Sequence, residues 1–328
     1  MSLPPPATPS DETPSRMVPA EPAPAVPVCY RHPKRETYIR CVRCDRSICP
    51  ECMNEAAVGF QCPECVADGR RTQRPARTAF GGSGAGAYGY VTKVLVGINV
   101  VVMVVSVALV GGGGLFGGGF GGLLGGSTPL TEAGSVFGLA RYRNMATGAI
   151  VHLPDGVADG QFYRLFTSMF LHYGVLHLLL NMWALWVLGR ELEARLGSAR
   201  FLLLYLLAGL GGSVACYVFT PAAHAAGASG AIYGLFAALF VVFRRLNLST
   251  TGIVTVLVIN LIFSFSAPNI SIAAHLGGLV IGAIVGVALA YPPRQIRNRV
   301  LAAAVAGVVL VLAAAVTAQT LALNSTVV

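Results

Sequence analysis

The sequence predicts an all-α polytopic membrane protein preceded by a small cysteine-rich module. Three observations carry this. Of 328 residues, 55% are apolar and only 11% are charged, whereas soluble domains run near ~25% charged; mean hydropathy is +0.67. The charges are unevenly placed: of 23 basic and 14 acidic residues, 20 fall within residues 1–90. Seven apolar segments then follow, most of them close to the ~20 residues that cross a hydrocarbon core. These features exclude a disordered protein, a coiled coil and an ordinary cytosolic enzyme. The net charge of +9 is therefore no first sign of nucleic acid, and none is expected as a partner. Only 2 of the 23 basic residues are Lys, and Ala, Val and Gly abound, a high-GC bacterial coding style.

Residues 1–28 are rich in Pro, Ala and Ser without apolar periodicity. They bury too little to offset chain entropy and are expected to be a disordered tail. No apolar stretch follows the initiator Met, so they do not read as a signal peptide.

Seven of the eight cysteines come next, in a ladder: Cys29-Tyr-Arg-His32, Cys41-Val-Arg-Cys44, Cys49-Pro-Glu-Cys52 and Cys62-Pro-Glu-Cys65. Two intervening residues let both members of a pair reach one metal from a tight turn. Eight such ligands suit two tetrahedral zinc ions. The competing reading is disulfides, but one ladder member is a His and an odd number of Cys remains. With all four positions on each ion taken by protein, both zincs are expected to be structural, with no cofactor for catalysis. The spacing resembles the B-box family of zinc modules, over about residues 29–68. That resemblance implies interleaved sites: Cys29, His32, Cys49 and Cys52 for one ion, Cys41, Cys44, Cys62 and Cys65 for the other. Sequential pairing fits the spacing equally well. The module either binds a cytosolic partner or is a compact structural appendage. Residues 69–90, with Arg70, Arg71, Arg74 and Arg77 before a Gly-Ser-Ala run, read as a basic, flexible, juxtamembrane linker.

The apolar segments lie near 91–110, 169–189, 200–219, 229–243, 251–267, 271–291 and 300–321. Six of them make a core over 91–291 with a long first loop, 111–168, and the seventh belongs to 292–328. Basic residues orient them. Arg70 to Arg77, Arg190 to Arg200, Arg244 and Arg245, and Arg294 to Arg299 all fall on one side. The opposite short loops carry none, although the long first loop has Arg141, Arg143 and Arg164. The expectation is a bacterial plasma-membrane protein with its N-terminus cytoplasmic and its C-terminus outside. A reducing cytosol also favours zinc over disulfides.

Polar groups within membrane spans are costly, so they are where function is sought. Between 201 and 293 the only formal charges are Arg244 and Arg245. With no carboxylate relay, a proton-coupled transporter is disfavoured. What remains is His172, His177, Asn181, Ser229, Tyr233, Asn260 and His275.

Ser229 sits in Gly227-Ala-Ser229-Gly230 at the start of the fourth span, where its backbone N–H is free and the helix dipole favours a developing oxyanion. Only ~15 residues separate it from Arg244, roughly 22 Å of helix, which places Ser229 below the outer surface of a ~30 Å core. Alone, such a motif reads better as helix packing. His275 changes this. It precedes Gly278, Gly282 and Gly286 on one flat helix face, so a neighbouring helix packs close and brings Ser229 within reach of an imidazole base. His177 and Asn181 are four apart on one face of the second span and offer side-chain donors for an oxyanion.

This set resembles the rhomboid intramembrane serine proteases, over about residues 160–290. The resemblance implies a rhomboid-like six-helix core with one additional C-terminal transmembrane helix. It makes Ser229 the nucleophile, His275 the general base, and His177 and Asn181 the lining of an oxyanion hole beside Gly227. Tyr233 would pack against the base and Glu193 would make a structural helix-end contact. The family's Trp-Arg pair in the first loop reads here as Tyr163-Arg164. The implied activity is peptide-bond hydrolysis in or near transmembrane helices of membrane protein substrates, by a Ser–His dyad inside the lipid bilayer. The alternatives are an inactive membrane binding protein whose zinc module recruits a cytosolic partner, and a small transporter. Cys216 reads as plain packing and His224 as a polar rim residue.

Overall fold

The computed structural model describes residues 26–72, 77–110, 126–143, 150–153, 155–266 and 270–325. Most of the tail expected to be disordered, and the Gly-rich run that opens the first loop, lie outside the described residues. The chain divides into two compact units, Met1–Arg74 and Pro75–Val328.

The first unit has little regular structure. A 3-10 turn, Pro50–Cys52, precedes a two-stranded antiparallel sheet of β1 (Asn54–Glu55) and β2 (Phe60–Gln61), then helix α1 (Pro63–Thr72). Its buried centre consists of Ile48 and six cysteines, with Tyr30, Met53 and Phe60 packed around them. One buried aliphatic side chain cannot hold a module of this size, so the cysteines carry that task.

The second unit is helical. In chain order it contains α2 (Tyr90–Val110), the short α3 (Pro129–Gly134), a hairpin of β3 (Ala140–Arg143) and β4 (Ile150–Leu153), and the short α4 (Arg164–Thr167). Then come α5 (Val175–Leu196), α6 (Ser198–Phe219), α7 (Ser229–Arg245), α8 (Thr251–Ser266), α9 (Ile272–Ala290) and α10 (Arg297–Ser325). Each apolar segment read from the sequence contains a helix, but the second, read from residue 169, is an α-helix only from Val175: a 3-10 turn, Ser168–Phe170, and a non-helical stretch ending at Gly174 (φ +92°) precede it. Among the described residues, α2, α5, α6, α9 and α10 are long and apolar enough to cross a membrane; α7 and α8 are shorter.

Helix α7 is central. Eleven of its 17 residues are buried, so it has scarcely any solvent or lipid face. It packs on α9 through facing small residues. A Cβ on Gly278 would overlap the carbonyl of Gly230, one on Gly282 would overlap Gly234, and one on Gly286 would stand 3.0 Å from Cα of Ala238. The four-residue period on α9 thus meets Gly230, Gly234 and Ala238 on α7, backbone against backbone.

Glu193, fully buried near the end of α5, ties α2 to this bundle. Its carboxylate accepts from the backbone N–H of Val91 (3.0 Å) and Thr92 (2.9 Å), and from the hydroxyls of Thr92 (2.8 Å) and Ser198 (2.7 Å). An acid at the N-termini of two helices satisfies orphan donors and opposes both dipoles.

The Gly-rich half of the segment read as a flexible linker is structured. Gly84–Tyr88 forms a 3-10 helix, Arg200 donates to the carbonyl of Phe80, and Gly82 and Gly86 lie against the backbone of α5 near Leu196 and Glu193. Glycine here permits close backbone packing, which composition alone does not distinguish from looseness.

Candidate active site and metal centre

Ser229 is the first residue of α7, and Ala228 before it offers no side-chain cap. The first N–H groups of the helix therefore point outward without intrahelical partners. Ser229 Oγ lies 3.0 Å from Nε2 of His275, which stands one turn into α9 and is 6% exposed. The glycine stacking of α7 on α9 sets this distance. Chemically, a hydroxyl faces an imidazole nitrogen at hydrogen-bond length beside a helix N-terminus.

The turn before Ser229 is fixed by three contacts. Gly227 has φ +138°, and its N–H donates to the carbonyl of Ser168 at 2.9 Å. A Cβ on Gly227 would stand 2.8 Å from Cε1 and 3.0 Å from Nε2 of His177, and 3.6 Å from Ser229 Oγ. His177 and Ser229 thus face each other across the space that glycine leaves open. The N–H of Ala228 approaches Nε2 of buried His172 at 3.5 Å, and the His172 and His177 rings meet edge to face at 5.1 Å. Asn181 donates one amide proton back to the carbonyl of His177, at 2.8 Å. Its amide has a second proton to give.

Tyr233 stacks on His275 with ring centroids 4.0 Å apart and planes within 11°. Behind this stack lies a residue that sequence reasoning missed. Ser264 of α8 is 3% exposed, with its Oγ 2.9 Å from Nδ1 of His275 and 2.9 Å from Oη of Tyr233. Nothing in the local string Ile-Phe-Ser-Phe-Ser marks it; only its register on α8 does. Asn260, in the polar set read from the sequence, is exposed and donates to the carbonyl of Val256.

Other residues singled out from sequence have structural partners. Arg164 is buried and braces the first loop: it donates to the carbonyls of Glu132 (2.6 Å) and Ser135 (3.2 Å), to Gln161 (2.6 Å), and pairs with Asp155 at 2.5 Å. Tyr163 donates to the carbonyl of Ala133. His224 stacks on Phe137 at 4.1 Å with Nδ1 2.9 Å from the hydroxyl of Ser135. Cys216 does more than fill space: its Sγ lies 2.9 Å from the hydroxyl of Ser271, which caps α9.

In the first unit the ladder gathers into two groups, Cys29, His32, Cys49 and Cys52, and Cys41, Cys44, Cys62 and Cys65. The ligand atoms within each group lie within 4.8 Å of one another. The pairs are thus interleaved; the sequential arrangement that spacing left open does not occur. His32 Nδ1 stands 3.2 Å from Cys49 Sγ and 3.4 Å from Cys52 Sγ, and Cys44 Sγ stands 3.7 Å from Cys62 Sγ. Disulfide sulfurs would be ~2.05 Å apart, whereas sulfurs on the corners of a tetrahedron with ~2.3 Å metal bonds are roughly 3.8 Å apart. The donor set fits a tetrahedral metal ion at each group. Arg46 donates to Cys44 Sγ at 3.3 Å and holds that thiol below its ordinary range, the direction a metal ligand needs.

Comparison with known proteins agrees with the helical unit. Residues 159–292 match the rhomboid domain family model. The rhomboid protease GluP of Bacillus subtilis is 45% identical over 141 residues, 42% of this chain and 28% of GluP. YdcA of the same bacterium is 42% identical over 130 residues, 38% of this chain and 65% of YdcA. The RHOMBOID-like protein 6, mitochondrial, of Arabidopsis thaliana is 32% identical over 146 residues, 42% of this chain and 47% of that protein. The chain thus spans between about a quarter and two thirds of these relatives' lengths. It is a multi-pass membrane protein in which residues 159–292 match the rhomboid domain. The matched region contains Ser229 and His275; the cysteine module and α10 lie outside it.

Proposed function

We propose that this chain is an intramembrane serine endopeptidase that hydrolyses peptide bonds in or near transmembrane helices of membrane proteins. The observation that carries the reading is the 3.0 Å approach of His275 Nε2 to Ser229 Oγ at the N-terminus of α7. In the proposed reaction Nε2 takes the Ser229 proton as Oγ bonds to the scissile carbonyl carbon. The new oxyanion is held by the Ser229 backbone N–H, His177 and Asn181, in a pocket that Gly227 keeps open. His275 then returns the proton to the leaving amine as the C–N bond breaks. Water, deprotonated by His275, hydrolyses the acyl ester and restores Ser229. The 17 residues of α7 span about 26 Å, so Ser229 starts below one face of the bilayer, where water enters from the outer side. A substrate helix with weak local propensity, at Gly or Pro, would open most readily.

We further propose that the first unit holds two structural zinc ions, and that the N-terminus is cytoplasmic in a bacterial plasma membrane, with the C-terminus outside. Two zinc equivalents per full-length chain are expected by metal analysis; one or none would overturn the paired sites. For the enzyme, Ser229→Ala and His275→Ala are each expected to abolish cleavage of a model transmembrane substrate in detergent, by about 10⁴-fold or more. A fluorophosphonate probe should label wild-type protein on Ser229. Cleavage that survives either substitution sinks the dyad. A folded wild type that neither cleaves nor labels leaves the non-catalytic membrane binding protein, with its metal module recruiting a cytosolic partner.

A further inference from the structure

Resting on that reading of the dyad, we propose that Ser264 is a positioning residue: its hydroxyl holds His275 in the one tautomer that can act as a base. A hydroxyl has one proton and two lone pairs. The Ser264 proton goes to the carbonyl of Asn260, one turn back, at 2.8 Å. Only acceptor capacity remains for the two groups at 2.9 Å, Tyr233 Oη and His275 Nδ1. Both must therefore donate. A neutral imidazole carries one N–H, so a proton on Nδ1 leaves Nε2 bare, facing Ser229 Oγ at 3.0 Å. Every proton and lone pair of Ser264 is then used, and the ring is fixed in both tautomer and tilt.

The placement of Ser264 supports this. It is the one buried side chain of α8 among the described residues, and its neighbours Phe263 and Phe265 are 60% and 65% exposed. A helix that otherwise faces outward buries a polar group, at a cost, where it meets the base. Serine hydrolases in water commonly use a carboxylate to orient the histidine. No Asp or Glu occurs between residues 201 and 293. A hydroxyl from a third helix supplies the orientation without placing a charge in hydrocarbon.

The test combines catalysis with a direct view of the ring. In Ser264→Ala, kcat on a model transmembrane substrate should fall about 10- to 100-fold while KM stays within about twofold. The acidic limb of the pH profile should move to lower pH, because the imidazolium loses an acceptor for its Nδ1–H. Ser264→Thr, which keeps the hydroxyl, should restore most of the rate. Nitrogen-15 NMR of histidine-labelled protein in micelles should show His275 protonated at Nδ1 and bare at Nε2 in the wild type. That preference should be lost in the Ala variant and kept in the Thr variant. Wild-type protonation at Nε2, an Ala variant with unchanged kcat and profile, or a Thr variant as slow as Ala would each overturn the proposal. If the wild type neither cleaves nor takes up a fluorophosphonate, the protease reading fails, and the ring signals still decide the tautomer.

Discussion

The two units hold themselves together in opposite ways, and neither relies on the ordinary hydrophobic effect. The first has too little apolar matter: among its described residues Ile48 is the one buried aliphatic side chain, and cysteines fill its centre. The second has apolar matter in excess, but lipid is as apolar as its own core, so burial alone gives its helices little reason to associate. It relies instead on shape, with the glycine faces of α7 and α9 in backbone contact, and on a few fully satisfied polar groups such as Glu193. On the proposed zinc reading, scarcity of core is offset by coordination; in the second unit, a solvent without hydrophobic drive is offset by fit.

Removing metal should break this contrast most sharply. Structural zinc contributes about 10–16 kcal/mol in small metal-dependent modules. Chelation in the full-length chain should therefore collapse amide NMR dispersion over residues 26–72 and leave the helical circular dichroism unchanged. Joint melting of both units would contradict it. Next in size is Gly278→Ala, whose Cβ would overlap the Gly230 carbonyl. We expect a loss near 3 kcal/mol, the upper end for overpacking, seen as a lower Tm in detergent together with slower cleavage as the dyad is pushed apart. Bound zinc should not change. The smallest effect is expected from Glu193→Gln, which loses the charge but keeps one acceptor, at about 1–3 kcal/mol. A Tm equal to wild type would show that the Glu193 carboxylate is not a principal tie between α2 and α5.

What the sequence revealed depended on whether a role was written in spacing. The face of His275, Gly278, Gly282 and Gly286 follows directly from helical period, and with it the approach to Ser229. The candidate metal ligands were equally plain. Their pairing was not, because interleaved and sequential arrangements share the same two-residue spacers, and only the resemblance favoured the one found. Ser264 was hidden for a related reason: its place beside His275 depends on how α8 lies against α7, and its own neighbours Phe263 and Phe265 are ordinary exposed apolar residues. The Gly81–Gly89 stretch misled in the other direction, since glycine serves both a free chain and two backbones in contact.

The interleaving of the two ligand groups also bears on how this protein is made. During synthesis Cys29 and His32 emerge first but find their partners only once Cys49 and Cys52 have followed. Before that happens, Cys41 and Cys44 are already exposed and waiting for Cys62 and Cys65. For a time, four soft ligands, Cys29, His32, Cys41 and Cys44, share a nascent chain with no correct partner in reach. Early metal capture by a neighbouring pair would give a mismatched site that has to dissociate again. The order of assembly is thus set by the order of the residues, and the module is complete only when Cys65 has left the ribosome, ahead of the first long apolar helix, Tyr90–Val110.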